Sequence, residues 1–352
     1  MASSEVLTAR TELTSVGCGR KLPPRLLKAL LADVDTDGAL AKYIGNDCGI
    51  TEPGSQTQLH TVDIVLPMGM EPETWGRIVA LHCVSDIYAS GGVPVSATGI
   101  LQLSQEWIRE DWHVVSYRGA IKQLSALDVK LVGGHTLRGQ VTSMGFAVTG
   151  TCAVDALRSR RLAAPGDVLV LTKPIGGSLV LGANEFSASA LAPGDYDEVI
   201  DSMLKPNDVA SKIAGDLGVR SSTDISGFGL LGSCLELSGE AGVRAMVDFP
   251  SIPIFAGVSR ALTVGVVSPL AESVMIDSDV EVEWADLAIA DKLVLCDPQV
   301  SGGLLLAMPR NVADTKFIPE MNSHGLSSWI VGVLAERPVD EKTKVIVTGG
   351  AR

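Results

Sequence analysis

Residues 16–24 read VGCGRKLPP, which sets Cys18 beside two cations, Arg20 and Lys21, with Gly17 and Gly19 on either side. The thiolate is the reactive form of cysteine, and nearby Lys or Arg side chains favour it, so these residue types at this spacing suit a reactive thiol. A surface thiol in a flexible leader has the same appearance. Lys21 divides in the same way between a solvated charge and a point charge that steadies a transferring phosphoryl group.

Four aspartates carry the second signal. Asp47 in IGNDCGI, Asp63 in HTVDIVLP, Asp86 in CVSDIYASGG and Asp224 in SSTDISGFG all sit among small or apolar residues. Each alone reads as a turn former or helix cap. Asp63 fits that least, because it interrupts an apolar strand pattern. A buried carboxylate needs a cation, a hydrogen-bond network or a metal. Four together point to Mg2+ ions that bridge carboxylates to a triphosphate.

Three glycine-rich pieces, GGHT (133–136), SGFGLLG (226–232) and QVSGGLL (299–305), match neither the P-loop nor the dinucleotide fingerprint. They serve either as tight turns or as backbone N–H groups offered to phosphate. His82 and His135 read first as structural imidazoles.

The 352 residues hold 41 acidic against 28 basic side chains, a formal net charge of -13, and no basic run interrupts the excess. That balance excludes a nucleic-acid partner but not a small anion carried in by divalent cations. The six cysteines at 18, 48, 83, 152, 234 and 296 form no CxxC pair, which reads as reduced thiols rather than a zinc knuckle. Cys234 and Cys296 fall in apolar patterns, and all but Cys18 read as structural, a reading that Cys48 fits least because it directly follows Asp47. The first residues lack the apolar core of a signal peptide, and no apolar run reaches membrane-spanning length, so the expectation is a cytoplasmic protein with no membrane partner.

The elements that must position these groups follow from periodicity. Runs at 60–67, 129–136, 144–154, 167–175, 291–298, 302–309 and 329–336 predict strands. The spacing at 72–90, 197–217 (broken at Pro206) and 227–242 predicts helices, with one more at 23–34. The result is a mixed α/β or α+β chain. The expected division is a leader over 1–44, an N-terminal domain over 45–157 and a C-terminal α/β domain over 158–352, with the boundary at the basic turn and Ala-Pro-Gly-Asp sequence before residue 167.

Taken in order, GCGRK (17–21), NDCGI (46–50), TVDIVLP (61–67), GRIVALHCVSDIYASGGVP (76–94), VGGHT (132–136), GFAVTGT (145–151), PGDVLVLTKPIG (165–176), STDISGFGLLG (222–232) and DPQVSGGLLLAMP (297–309) resemble the selenophosphate synthetases, also called selenide, water dikinases. The resemblance covers nearly the whole chain, and its most specific parts are Cys-x-x-Lys and DPQ-x-SGGLL. It implies the fold of the aminoimidazole ribonucleotide synthetase-like superfamily: two α/β domains, with N-terminal domains pairing in a homodimer to form a β-barrel. It also implies synthesis of selenophosphate from ATP, selenide and water, with AMP and phosphate released. Residue by residue, Cys18 and Lys21 match the essential cysteine and lysine. Asp47, Asp63, Asp86 and Asp224 match metal and nucleotide aspartates, with Lys21, Asp63 and Asp86 also on the nucleotide. Gly134, His135 and Thr136 match a nucleotide-contacting turn. ATP, Mg2+ and a candidate K+ are the implied small partners.

Three positions depart from the pattern: Arg20 where a second cysteine often stands, Asn46-Asp47 followed by Cys48-Gly49 in a shortened metal loop, and His82 where many members carry Asn. Two other readings stand beside the first. One is a paralogue that phosphorylates a different small substrate, and the other is a non-catalytic ATP-binding protein.

Overall fold

The computed structural model describes residues 21–23, 25–26, 29–30, 47–51 and 57–349. Cys18, Arg20 and Asn46 therefore lie outside the described residues, as does most of the 23–34 helix, of which Arg25, Leu26, Ala29 and Leu30 are helical.

Two sheets organise the chain. The first comprises β1 (Gly49–Thr51), β2 (Thr57–Val65), β3 (Val93–Leu103), β4 (Lys130–Arg138) and β5 (Ser143–Cys152), in the order β1-β2-β5-β3-β4. All its pairings are antiparallel except β3 with β4. The second comprises β6 (Asp167–Leu171), β7 (Ser221–Asp224), β8 (Val243–Asp248), β9 (Val282–Trp284), β10 (Leu304–Pro309), β11 (Trp329–Glu336) and β12 (Val345–Thr348), in the order β7-β10-β6-β11-β8-β12-β9. Here β12 runs parallel to β8 and β9, and the remaining pairs are antiparallel.

Helix α1 (Pro72–Ala89) starts with Pro at its first position, where the missing N–H costs nothing, and runs to Ser90. Its residues are buried on nearly every face, including Trp75, Ile78, Val79, Val84 and Ile87, so it is a central helix rather than an amphipathic surface one. One side packs on β2 and β5, and another on α2 (Trp112–Ala126). The α1–α2 crossing is close enough that a methyl group at Gly76 would sit 1.8 Å from the Ser116 carbonyl oxygen, and one at Gly119 2.4 Å from that of Glu73. Glycine is required at both for the backbones to meet.

The second half carries α3 (Gly177–Ser187), α4 (Asp195–Met203), α5 (Asp208–Asp216) and α6 (Gly229–Ala241), of which α6 packs on β7, β8 and β12 and α3 packs on α4. The split between α4 and α5 falls at Pro206, as its missing donor requires. The run at 291–298, expected as a strand, is instead helix α7 (Ile289–Leu295), with Leu293, Val294 and Leu295 buried. A short continuous aliphatic run looks alike in a buried strand and a buried helix turn. Here Ala288 starts the helix in extended conformation and Asp291 lies in its first turn, facing the positive end of the backbone dipole.

The two halves are joined along α1. Arg158 donates from Nη1 to the Tyr88 carbonyl and to Ser211 Oγ, both at 3.1 Å, and from Nη2 to the Ser211 carbonyl. Asn207 donates from Nδ2 to Ser85 Oγ at 3.1 Å and to the Gly302 carbonyl at 2.9 Å. The Ser301 amide donates to His82 Nδ1 at 3.2 Å. These bonds satisfy buried polar groups that would otherwise oppose closing the seam.

Candidate active site

On β2, odd-numbered residues point toward α1, because side chains alternate along a strand. Thr61 and Asp63 therefore share one face. On α1, His82 and Asp86 are one turn apart and face the same way. The strand and helix faces meet: Thr61 Oγ1 donates to Asp86 Oδ2 at 2.5 Å, and His82 Nε2 lies 3.9 Å from Asp63 Oδ1.

The other two aspartates arrive from separate places. Asp224 ends β7 and is buried, while Asp47 precedes β1 and accepts a 2.6 Å hydrogen bond from the Thr223 hydroxyl. Oxygen atoms of Asp47, Asp86 and Asp224 all come within 4.8 Å of one another. Asp63 stands beside this trio and takes Lys21 as its partner, with Nζ 3.2 Å from Oδ1. A cleft of about 570 Å3 opens over the group, lined also by His60, Arg160, Phe228 and Glu236.

The carboxylates divide electrostatically. Burial pushes the Asp86 carboxyl well up, and Asp224, Asp63 and Asp47 add to the rise. Burial and Asp47 together bring Asp224 to about 7. Asp47 is raised by burial in spite of Arg160. Asp63 goes the other way: burial opposes its charge, but Lys21 and His82 outweigh that and hold it below the usual carboxylate value. Like charges this close raise one another's pKa until a cation joins them. Three hard oxygen donors with that need fit a divalent ion such as Mg2+.

His82 is fully buried, and burial carries its imidazole down to about 4 although Asp63 favours the charged form. Because Nδ1 accepts the Ser301 N–H, the neutral ring carries its proton on Nε2, toward Asp63. Cys48, next to Asp47, is buried; burial, then Asp86, push its thiol up, which disfavours the thiolate. Cys83, Cys152, Cys234 and Cys296 are also buried.

Of the sequence-predicted residues, the cleft brings together Lys21, Asp47, Asp63, Asp86 and Asp224. Gly134, His135 and Thr136 lie apart from it, exposed on the edge strand β4. Sequence reasoning missed Thr61, Thr223 and Arg160. The hydroxyls carry no signal until strand and helix faces are paired. Arg160 stands in a basic turn that read only as a boundary, yet its guanidinium reaches Glu236 through Nη1, lies 3.1 Å from Glu240 through Nε, and lies 3.9 Å from Asp47.

Comparison with known proteins adds lineage to this geometry. The model of the AIR synthase related protein, N-terminal domain, matches residues 45–154, and that of the AIR synthase related protein, C-terminal domain, matches residues 164–343. A protein of Shewanella baltica (strain OS185) called selenide, water dikinase is 31% identical over 344 residues, 94% of each chain. One of the same name from Shewanella sp. (strain MR-4) is 32% identical over 359 residues, covering 98% of this chain and 100% of its own. Among solved structures, AaThiL complexed with AMPPCP and TMP superposes with a TM-score of 0.67 at 19% identity, covering 93% of both chains. E. coli HypE, a hydrogenase maturation protein, gives 0.64 at 14%, covering 92% of this chain and 93% of its own. At those identities the structural likeness speaks for the fold.

Proposed function

Because the chain belongs to the AIR synthase related family and, within it, to the selenide, water dikinases, we propose that it makes selenophosphate from ATP, selenide and water, releasing AMP and phosphate. The observation that carries this reading is the meeting of three crowded carboxylates with the Lys21–Asp63 pair in one cleft. The volume suits a nucleotide. A relative of the same fold was solved with AMPPCP, which supports ATP as the phosphoryl donor.

Asp47, Asp86 and Asp224 would hold Mg2+, which when bound neutralises the triphosphate. Thr61 and Thr223 orient two of these carboxylates by donating to one oxygen of each. Lys21 supplies a point charge to the phosphoryl group in transfer, and Asp63, aligned by His82, keeps that charge in the cleft. Three residues of chain span at most about 11 Å, a reach that lets Cys18 present selenide beside Lys21.

The working unit in this reading is a homodimer. Val62 and Ile64 on β2, Val93 and Val95 on β3, and Val132 and Leu137 on β4 are exposed apolar side chains on one sheet, with Val132 64% exposed. Such a set on a small protein calls for a covering partner. A second copy pairing through this sheet would form the barrel and bring Gly134, His135 and Thr136 toward a nucleotide. The domain boundary near residue 157 then separates the pairing half from the second α/β half.

Anaerobic turnover of ATP and Mg2+, with and without selenide, followed by phosphorus NMR, tests the reaction. Selenide-dependent AMP and a selenophosphate resonance, both lost or sharply reduced in Cys18→Ser, are expected. ATP breakdown indifferent to selenide and to Cys18 would assign the site to another acceptor, and absence of breakdown would leave a nucleotide-binding protein.

A further inference from the structure

Among the described residues lining the acidic cleft, Arg160 is a cation that neither the phosphoryl step nor the carboxylate trio uses. Its side chain is 6% exposed, and it lines the cleft from the segment just after the boundary between the halves. Two glutamates of α6 grip it, Glu236 at Nη1 and Glu240 at Nε, while Nη1 also faces Asp47 Oδ1 at 3.9 Å. The guanidinium keeps its charge at every accessible pH and is held in a fixed fork. Its ion pairs with Glu236 and Glu240 of α6 favour this position beside Asp47.

We infer that Arg160 is a positioning residue that competes with a divalent ion for Asp47, so that the cleft loads its metal together with a nucleotide rather than before it. This rests on the divalent-ion reading above. A cation held by Asp47, whose Oδ1 takes the Thr223 hydroxyl and faces the guanidinium, would have to share that carboxylate's charge with Arg160, and in a half-buried cleft the repulsion between the two cations is weakly screened. A nucleotide's phosphates add negative charge on the open side and offset it. The glutamates matter as well: with Arg160 in place they are neutralised, and without it they join Asp47 as ligands or as field.

The test is Mn2+ binding measured by electron paramagnetic resonance, with and without AMPPCP, on the full chain. The wild type binds Mn2+ weakly alone and more tightly with AMPPCP. Arg160→Gln binds Mn2+ alone at least about fivefold tighter, and the further gain from AMPPCP shrinks, because the phosphates no longer have that repulsion to offset. Arg160→Lys keeps the charge and restores wild-type behaviour. Glu236→Gln, at a side chain 45% exposed, shifts the balance the other way and loosens Mn2+. Unchanged or weaker Mn2+ binding in Arg160→Gln, or unchanged binding in Glu236→Gln, overturns the inference while leaving the metal site standing. If wild type and variants all fail to bind Mn2+ even with AMPPCP, the divalent-ion reading falls, and this inference with it.

Discussion

Lys21 Nζ lies 3.2 Å from Asp63 Oδ1, and the stem of the same lysine rests on Gly227, where a methyl group would sit 2.5 Å from Lys21 Cδ. Position 227 therefore sets where the ammonium points. Lys21→Gln removes the charge and is expected to lower turnover by roughly 10^2 to 10^3, the usual loss when one transition-state charge partner is removed. Gly227→Ala keeps the charge but displaces it. Its expected cost is about tenfold in kcat, with the melting temperature little changed. Steady-state kinetics alongside thermal melts separates the two. A wild-type kcat in Gly227→Ala would show that the lysine has room to readjust.

The proposed dimer rests on the exposed apolar side chains of the first sheet. Val62 on β2 and Val132 on β4 are exposed on strands at opposite sides of the first sheet, with β5 and β3 between them. Light scattering on a size-exclusion column is expected to give twice the chain mass, and Val62→Glu with Val132→Glu to give the monomer. A charge placed in an apolar interface has no compensating partner there. Monomeric wild type at micromolar concentration would leave the exposed valines unexplained.

How much of this was legible beforehand depends on the kind of signal. Asp63 stood out because a charge in an apolar strand is a local contradiction, visible without any fold. Asp47, Asp86 and Asp224 were readable as candidates, but their meeting needed three separate elements to converge. Arg160 was not readable at all. Its meaning lies in Glu236 and Glu240, far along the chain, and a basic turn at a boundary looks like any solvated turn. The misread 291–298 run has a similar cause, because KLVL has no period of its own and burial on α7 was decided by neighbours. The joining of the halves through Arg158, Asn207 and Ser301 is likewise a property of the folded seam.

Arg158 makes the seam testable. It is 4% exposed and gives its hydrogen bonds to carbonyls and a hydroxyl, and burial lowers its guanidinium to about 10. Arg158→Met keeps the volume but removes three buried hydrogen bonds from a charged donor, while the Tyr88 carbonyl keeps those from Ser211 Oγ and Gly91 N. The expected loss is about 2 to 4 kcal/mol, since a hydrogen bond from a charged group contributes about 1.5 to 3. Urea unfolding measures it. A loss under about 0.5 kcal/mol would mean that the acceptors find other donors.

Asp297 provides a pH signature away from the cleft. It is 1% exposed, its Oδ2 accepts from Ser178 N and Gln299 Nε2, and its Oδ1 has no hydrogen-bond partner among the described residues. Burial is the largest influence and takes the carboxyl to about 8 against an ordinary 3.8, overriding those hydrogen bonds. Between those values the folded protein holds a proton that the unfolded chain has released. Stability therefore falls as pH rises through that window, by at most about 1.4 kcal/mol per pH unit for one group. Asp297→Asn keeps the shape, cannot ionise, and is expected to flatten this part of the profile between pH 5.5 and 8. Urea midpoints of both proteins across that range read the difference directly. Parallel profiles would mean that Asp297 is already ionised in the folded state, with a partner for Oδ1 beyond the described residues.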